Sequence, residues 1–381
     1  MKRILFSSIG VLLAGGALNS ALAQTFNATV DCSRGQTVSA ALARLPPIPT
    51  PVLISIRGTC NEFVTVSREN VTLHGDPSAA ITAPNAGSDL VTVNANVVTL
   101  ENLTLTGGNY GVRNNHVFSL TISNSVIQGS HSDGVHAFVG DTRLIGGSTI
   151  QNTGGNGIYA VRGGTVAVAV NSRILNNAGA GIYTVQNAAI TINGSTISDN
   201  GSHGVFLDAA SQGSISGSTI ANNGRDPNQG GDGIYVYQSQ ATITSGNNIV
   251  NNRQDGIGVI GGAVATIDNN NVQGNGHHGV DGYLASAIVM HGNTISGNGF
   301  ANHDGFGIYC VINCTLQIAG ATITGNAVTG INLAIGSSLV FEEPKTNATG
   351  NGGADLWCGD ASTHVANLGS FIGTAPTCTP F

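Results

Sequence analysis

The chain contains few charged residues, and basic residues are the scarcest of them. Charged residues make up 9% of the 381 positions, with 13 Lys and Arg against 20 Asp and Glu. The lysines are Lys2 and Lys345 alone. Nucleic-acid binding depends on basic side chains that neutralise phosphates, so this composition argues against a nucleic-acid partner. A heavily anionic glycan would also be repelled unless a metal ion intervened.

A long apolar run is absent beyond the N-terminal segment, so the sequence predicts no membrane span. Residues 1–23 have a basic start, an apolar stretch from Ile4 to Leu18 and a small-residue site that ends at Ala23. This combination is typical of a secretory signal peptide cleaved after Ala23, and it predicts a secreted or periplasmic protein. The sequence carries no signal for an oligomeric state.

Cysteines are few, and none forms a Cys-x-x-Cys pair of the kind that binds metals. Six cysteines in an exported chain indicate disulfides, although several pairings are possible. We favour the pairing between neighbours in the sequence, which joins Cys32 to Cys60, Cys310 to Cys314, and Cys358 to Cys378.

Glycine, in contrast, is abundant and regularly spaced. Gly followed by Ile or Val recurs at intervals of 23 to 29 residues, and 23 is the commonest interval. The repeats begin at Gly111, Gly134, Gly157, Gly181, Gly204, Gly233, Gly256, Gly279, Gly307 and Gly330. Each repeat holds three short runs of alternating apolar residues separated by Asn, Gly or Ser. A fixed period with three predicted strands per unit indicates a solenoid.

The apolar positions of successive repeats match one another in three columns, as they would if the strands stacked in parallel about 4.8 Å apart. We therefore predict an all-β fold, a single-stranded right-handed parallel β-helix. The predicted organisation is a signal peptide (1–23), an N-terminal cap with an amphipathic helix and a first irregular coil (24–69), the β-helix (70–341), and a C-terminal cap (342–381). The segments 58–62 and 70–75 resemble secreted bacterial right-handed β-helix repeat proteins of the pectin-lyase-like superfamily, and this resemblance covers nearly the whole mature chain.

Asparagine recurs at one turn position in most of the repeats. An inward-facing Asn can bond the backbone of its neighbours along the stack, so we interpret this column as a structural ladder rather than as a sugar-binding row. Its members are Asn177, Asn200, Asn223, Asn252, Asn275, Asn298 and Asn326.

A second column, two residues after each glycine, is rich in aromatic residues and is expected to face outward. Sugar rings stack well on such aromatic side chains. The alternative is that the rings stack on one another and stabilise the sheet. The aromatic members that we predict to bind substrate are Tyr159, Tyr183, Phe206, Tyr235 and Tyr309.

A third column, directly before each glycine, carries ionisable residues on four consecutive coils: His203, Asp232, Asp255 and His278. Asp and His are also ordinary turn residues, so a purely structural interpretation stays open. Two insertions, at 225–230 and 300–304, bracket these coils and would wall a groove. Arg253, His203, His303 and Asp304 are further candidates for substrate binding.

The order Asp, Asp, Gly-His-x-Gly on successive coils resembles the polygalacturonase pattern. The resemblance implies that Asp232 and Asp255 form a carboxylate pair with His278 beside it, and Asp281 lies close by in the aromatic column. Gln254 stands where that family has another Asp, and its Arg-x-Lys motif is missing. The sequence predicts no metal site and no cofactor. Ca²⁺ would enter only in lyase-like chemistry, which also needs a basic residue, and Arg253 is the one arginine near the predicted floor.

These observations predict a protein that binds or cleaves an extracellular polysaccharide in a groove over coils 204–309. As an enzyme it would be a glycoside hydrolase or lyase, and we favour hydrolysis of a neutral or weakly charged glycan. The alternative is a non-catalytic surface, adhesion or structural β-helix protein.

Overall fold

The computed structural model describes residues 25–46, 50–299, 305–375 and 377–378. The chain winds as a right-handed parallel β-helix, which confirms the predicted fold. Strands pair in parallel with those of neighbouring coils and form two sheets, of 27 and 13 strands, and the larger sheet covers two of the three faces of the molecule. The predicted signal peptide and the insertion at 300–304 lie outside the described residues.

The first sheet, here called the groove face, contains 13 strands. Its strands are Val64–Val66, Val91–Val93, Val112–Asn115, Val135–Phe138, Ile158–Val161, Ile182–Val185, Val205–Leu207, Ile234–Tyr237, Ile257–Ile260, Val280–Tyr283, Ile308–Val311, Ile331–Ala334 and Leu356–Cys358.

The second and third faces are joined near the N-terminus because two long strands, Val71–Thr82 and Val98–Thr106, pass from one face to the other. The remaining strands of the second face are Phe26–Asp31, Val52–Arg57, Leu120–Ser123, Asp141–Ile145, Thr165–Ala169, Ala189–Asn193, Gln212–Ser216, Gln240–Thr244, Val264–Asp268, Ala287–His291, Thr315–Ala319, Ser338–Glu342 and His364–Ala366. Those of the third face are Thr59–Asn61, Val126–Gln128, Thr149–Gln151, Arg173–Leu175, Thr196–Ser198, Thr219–Ala221, Asn248–Val250, Asn271–Gln273, Thr294–Ser296, Thr322–Thr324, Thr346–Thr349 and Phe371–Ile372.

The core is built from the apolar columns, which point inward from all three faces. Ile182 pairs with Ile158 on one side and with Val205 on the other, and all three side chains are fully buried. Apolar side chains of the same kind therefore stack on one another from coil to coil. Burial of each such side chain contributes about 1.5–3 kcal/mol, so these columns supply the main driving force for folding.

The asparagine column forms a buried ladder, as predicted. Nδ2 of Asn223 donates to Oδ1 of Asn252 (2.9 Å), and Nδ2 of Asn252 donates to Oδ1 of Asn275 (3.0 Å). The same amides also bond the backbone, since Nδ2 of Asn252 donates to the carbonyl of Ile220. A buried amide is costly unless its hydrogen bonds are made, and here the repeat makes them.

Both ends of the β-helix extend the parallel ladders beyond residues 70–341. Phe26–Asp31 pairs with Val52–Arg57, and Thr346 lies opposite Phe371. The predicted helix is present at Val38–Ala43, where Thr37 caps its N-terminus. Glu62 accepts hydrogen bonds from the backbone N–H groups of Val38 and Ser39, which fixes the helix on the first coil.

All three predicted disulfides are present, at Cys32–Cys60, Cys310–Cys314 and Cys358–Cys378. The first disulfide lies near the N-terminal end of the β-helix and the third near its C-terminal end. The second closes a short loop after a strand of the groove face. Two further segments are short 3₁₀ helices, Cys32–Arg34 and Leu368–Ser370. Across the described part of the chain, no helix is long and apolar enough to cross a membrane.

Candidate functional site

The outward aromatic column forms a continuous stack from Tyr159 to Tyr235 along the groove face, and Tyr309 continues the column after a break. Ring centroids lie 5.3 Å apart between Tyr159 and Tyr183, 4.7 Å between Tyr183 and Phe206, and 5.1 Å between Phe206 and Tyr235. Each ring is half-buried by its neighbours. We call this row the aromatic stripe. Its rings stabilise one another, and their outer edges remain open, so the geometry accommodates both interpretations of the column.

The stripe is interrupted for two coils between Tyr235 and Tyr309. Gly258 pairs with Tyr235 in register, and Asp281 pairs with both Gly258 and Tyr309. A Cβ at Gly258 would come within 2.9 Å of the Tyr235 ring and 3.3 Å of Oδ2 of Asp232. The absence of a side chain at Gly258 therefore keeps a space open beside the Asp232 carboxylate. We call this space the gap.

The residues of the third column cap the backbone of the next coil. Nδ1 of His203 accepts from the N–H of Asp232 (3.2 Å), and Oδ1 of Asp232 accepts from the N–H of Asp255 (3.0 Å). Oδ1 of Asp255 accepts from the N–H of His278 (2.7 Å), whose Nδ1 accepts from Phe306 (3.1 Å). These bonds form an unbroken chain over five coils. The structural interpretation thus accounts for one acceptor atom of every residue in the column.

Two histidines follow one another at the centre of this chain. Nδ1 of His277 bonds Oδ1 of Asp255 (2.9 Å), and its ring lies 3.6 Å from that of His278. Because Nδ1 of His278 accepts a backbone N–H, the neutral ring carries its proton on Nε2. Burial lowers the pKa of His278 to about 4, although Asp255 acts in the opposite direction. His278 is therefore a neutral donor. Sequence reasoning missed His277, although His277 is the histidine of the Gly-His-x-Gly motif at 276–279.

Asp281 is the least conventional group of the site. Its Oδ1 is buried and has no hydrogen-bond partner among the described residues. Burial raises the pKa of Asp281 well above its usual range, and the charges of Asp255 and Asp232 add to the shift. These surroundings favour the protonated form of the acid. The structure thus places a carboxyl group with a raised pKa beside two other aspartates.

A cleft of about 570 Å³ opens above this cluster. Its lining includes Asp281, His278 and Tyr309, together with two residues that sequence reasoning did not select, Tyr283 and Phe306. The Phe306 and Tyr309 rings stack at 5.2 Å. At the other end of the gap, burial raises the pKa of Tyr235 to about 12, with further contributions from the charges of Asp232 and Asp281. Aromatic rings therefore close the site at both ends.

The first insertion, at 225–230, lies against the coils around His203. Arg225 donates to Oδ1 of Asn176 (2.8 Å), and Arg253 donates to the backbone carbonyl of Gln229. A Cβ at Gly230 would come within 2.0 Å of Nε2 of His203, so the insertion covers that ring. His203 is 9% exposed, and the side chain of Arg253 bonds the insertion. Substrate binding by either residue therefore stays a prediction. His303 and Asp304 lie outside the described residues.

Three side chains of this cluster lie close enough together to hold a metal ion. Asp255, His277 and His278 each offer a ligand atom within 4.8 Å of the others. Two imidazoles and a carboxylate suit a transition metal, whereas Ca²⁺ takes oxygen ligands. Nδ1 of His278 is already bonded to Phe306, and its Nε2 carries the proton, so this ring does not offer a free lone pair. Lyase chemistry also needs a basic residue, but Arg253 bonds the carbonyl of Gln229 in the insertion instead. These residues do not fit either metal as they stand.

Comparison with known proteins gives one family match. A sequence profile described as "Right handed beta helix region" matches residues 53–212 and 203–368. No curated protein matches the chain.

Solved structures resemble the chain only distantly. Pectate lyase Pel9A is 14% identical, with 86% of this chain and 79% of that chain covered and a TM-score of 0.43. The A-module of the Azotobacter vinelandii mannuronan C-5 epimerase AlgE4 is 16% identical, with 87% and 91% covered and a TM-score of 0.43. The periplasmic alginate epimerase AlgG is 11% identical, with 92% and 84% covered and a TM-score of 0.39. Likenesses at this level carry no functional inference.

Proposed function

The chain belongs to the right-handed β-helix family, and on that premise we propose that it binds an extracellular or periplasmic polysaccharide along the aromatic stripe and hydrolyses it in the gap. The three disulfides support an oxidising compartment outside the cytoplasm. A glycan lying along the stripe would place successive sugars over successive rings and one linkage over Gly258.

The observation that carries the proposal is the carboxyl group of Asp281, which lines the cleft and whose buried Oδ1 has no hydrogen-bond partner among the described residues. Glycoside hydrolysis needs one acid that protonates the leaving oxygen and one carboxylate that activates water or attacks the sugar. The raised pKa of Asp281 favours its protonated form, so we assign it the acid role. This proposal moves that role away from Asp232, whose Oδ1 caps the Asp255 backbone.

Asp255 is the partner that we assign as base or nucleophile. The N–H of His278 and Nδ1 of His277 both bond its Oδ1, so its carboxylate has a fixed position. His278 presents a neutral Nε2–H, which suits it to donate to a substrate oxygen rather than to exchange a proton. Acid and base roles require two carboxyl groups in different surroundings, and here Oδ1 of Asp281 has no partner whereas Oδ1 of Asp255 accepts the N–H of His278.

The test is release of reducing ends from a panel of polysaccharides. We expect turnover by the full chain and loss of about a hundredfold or more in Asp255→Asn, as is typical when general acid–base catalysis is removed. Asp268→Asn is the matched control, because Asp268 lies on the second face and pairs there with His291. Full activity in Asp255→Asn would overturn the proposed roles.

The second candidate function is a non-catalytic binding or adhesion protein. The specific observation in its favour is the chain of backbone caps, which accounts for His203, Asp232, Asp255 and His278 without any chemistry. Under this alternative no polysaccharide in the panel is cleaved, yet one is bound. It does not account for the unpartnered oxygen of Asp281.

A further inference from the structure

Aspartate side chains recur along the part of the groove face that carries the stripe and the gap. Five aspartates lie beside the stripe or in the gap: Asp133, Asp208, Asp232, Asp255 and Asp281. Asp133 bonds the His136 ring of the stripe, and Asp208 accepts a hydrogen bond from the Tyr183 hydroxyl. These five aspartates are called the acidic row. Their position along the aromatic stripe means that a bound glycan passes all of them.

Few basic groups lie beside this row. Asp133, Asp232 and Asp255 each have a histidine partner, and Arg113 pairs with Asp89 nearer the N-terminal end of the groove face. The sequence has no lysine between Lys2 and Lys345. Arg162 stacks over Phe138 at the outer edge of the face, and Arg253 is bonded to the wall. Among the described residues of the groove, aspartates outnumber arginines, so a chain of uronic acids would be repelled where it passes them and a cationic chain would be attracted.

The gap has the composition of a site for an ammonium group. Tyr235 and Tyr309 stand at its two ends, and an ammonium group is attracted to the faces of such rings. An ammonium also offers three N–H donors, and the unpartnered Oδ1 of Asp281 is an acceptor that lacks one. A positive charge here is also attracted by the neighbouring carboxylates of Asp232 and Asp255.

We infer that the gap binds a sugar carrying a free ammonium group, and that the polysaccharide is an amino-sugar polymer whose amines are not acylated. This inference rests on the proposed function, because it names the substrate class of the same groove. The ammonium donates a hydrogen bond to the unpartnered Oδ1 of Asp281, and the carboxyl proton stays on the other oxygen, where the proposed acid role needs it. The charge of the acidic row and the ring-walled gap both select for this class.

The experiment measures binding, so that it stands apart from turnover. The full chain is titrated calorimetrically with three oligosaccharides of equal length, at a mildly acidic pH where amines are protonated. The three probes are a glucosamine oligomer, its N-acetylated counterpart, and an oligogalacturonate with and without Ca²⁺. We expect the glucosamine oligomer to bind about tenfold or more tightly than the others, and its binding to weaken as salt is added.

A variant pair locates the site. Asp281→Asn keeps the shape and is expected to weaken binding of the glucosamine oligomer about tenfold, with the N-acetylated oligomer unaffected. Asp268→Asn removes the same charge from the second face and is expected to change neither. Thermal melting checks that both variants fold. If Asp281→Asn does not fold, the preference of the wild-type chain and its salt dependence decide the question alone.

Three outcomes would overturn the inference. Preference for the N-acetylated oligomer would leave the proposed groove intact and make its substrate neutral. Ca²⁺-dependent binding of the oligogalacturonate would show that the acidic row takes a metal ion instead. Binding of none of the oligosaccharides would contradict both this inference and the proposed function.

Discussion

At the scale of single residues, the behaviour of Asp281 depends on what surrounds it rather than on its own chemistry. Gly258 beneath it has no side chain, and Tyr309 above it is a large ring. Burial and the neighbouring charges therefore act on a carboxyl group that makes no compensating hydrogen bond through Oδ1. Such a group binds its proton more tightly in the folded chain than in the unfolded chain.

This difference predicts how stability changes with pH. Because the folded-state pKa of Asp281 is raised, the folded chain binds more protons than the unfolded chain between the ordinary carboxyl pKa and the raised one. The contribution of Asp281 to stability is therefore fully present at low pH and is lost as pH rises through that window. We expect denaturant melts of wild type and Asp281→Asn to diverge with rising pH, with wild type losing stability relative to the variant. Parallel curves at all pH values would contradict this assignment.

The raised pKa of Asp281 could not be predicted from the sequence. The sequence places Asp281 in the aromatic column, but the loss of solvent depends on Tyr235, Tyr309 and the cleft wall, which only the folded chain brings together. For the same reason, the sequence could not decide whether Asp232 and Asp255 cap the backbone or act in catalysis. Turn chemistry was a known alternative, but which oxygen bonds which N–H depends on the stacking of coils.

At the scale of elements, the repeat explains why prediction of the fold succeeded. A column of identical residue types, such as Ile174, Ile197 and Ile220, has one simple explanation, which is stacking at the same depth in successive coils. The period fixes the register and the register fixes the inward face. The walls are different, because an insertion interrupts the period and its contacts, such as that of Gly230 with His203, follow no column.

The inward and outward columns predict unequal costs of truncation. Ile197→Ala is expected to cost about 2–5 kcal/mol, since a fully buried side chain is lost between stacked neighbours that have little room to collapse. Tyr183→Ala is expected to cost less, about 1–2 kcal/mol, because that ring is half-buried and loses ring stacking and its bond to Asp208. Both values come from denaturant melts. Equal losses would mean that the two columns do not differ in burial as described.

At the scale of the whole molecule, the β-helix places equivalent residues at regular intervals along its axis. Successive stripe rings lie about as far apart as neighbouring strands, so the groove face presents a regular row of binding positions. The acidic row follows the same axis, and the gap interrupts the aromatic stripe once. One long polymer can therefore contact many coils while a single linkage lies over the acid. This arrangement favours a polymer over a small sugar as the ligand.

The most direct measurement is a crystal structure of Asp255→Asn with a bound oligosaccharide, since this variant should bind a substrate that it cannot cleave. The account predicts sugars stacked along Tyr159, Tyr183 and Tyr235, with one glycosidic oxygen within hydrogen-bonding distance of the residue at position 281. An oligosaccharide bound on another face, or along the stripe with no linkage near position 281, would contradict it.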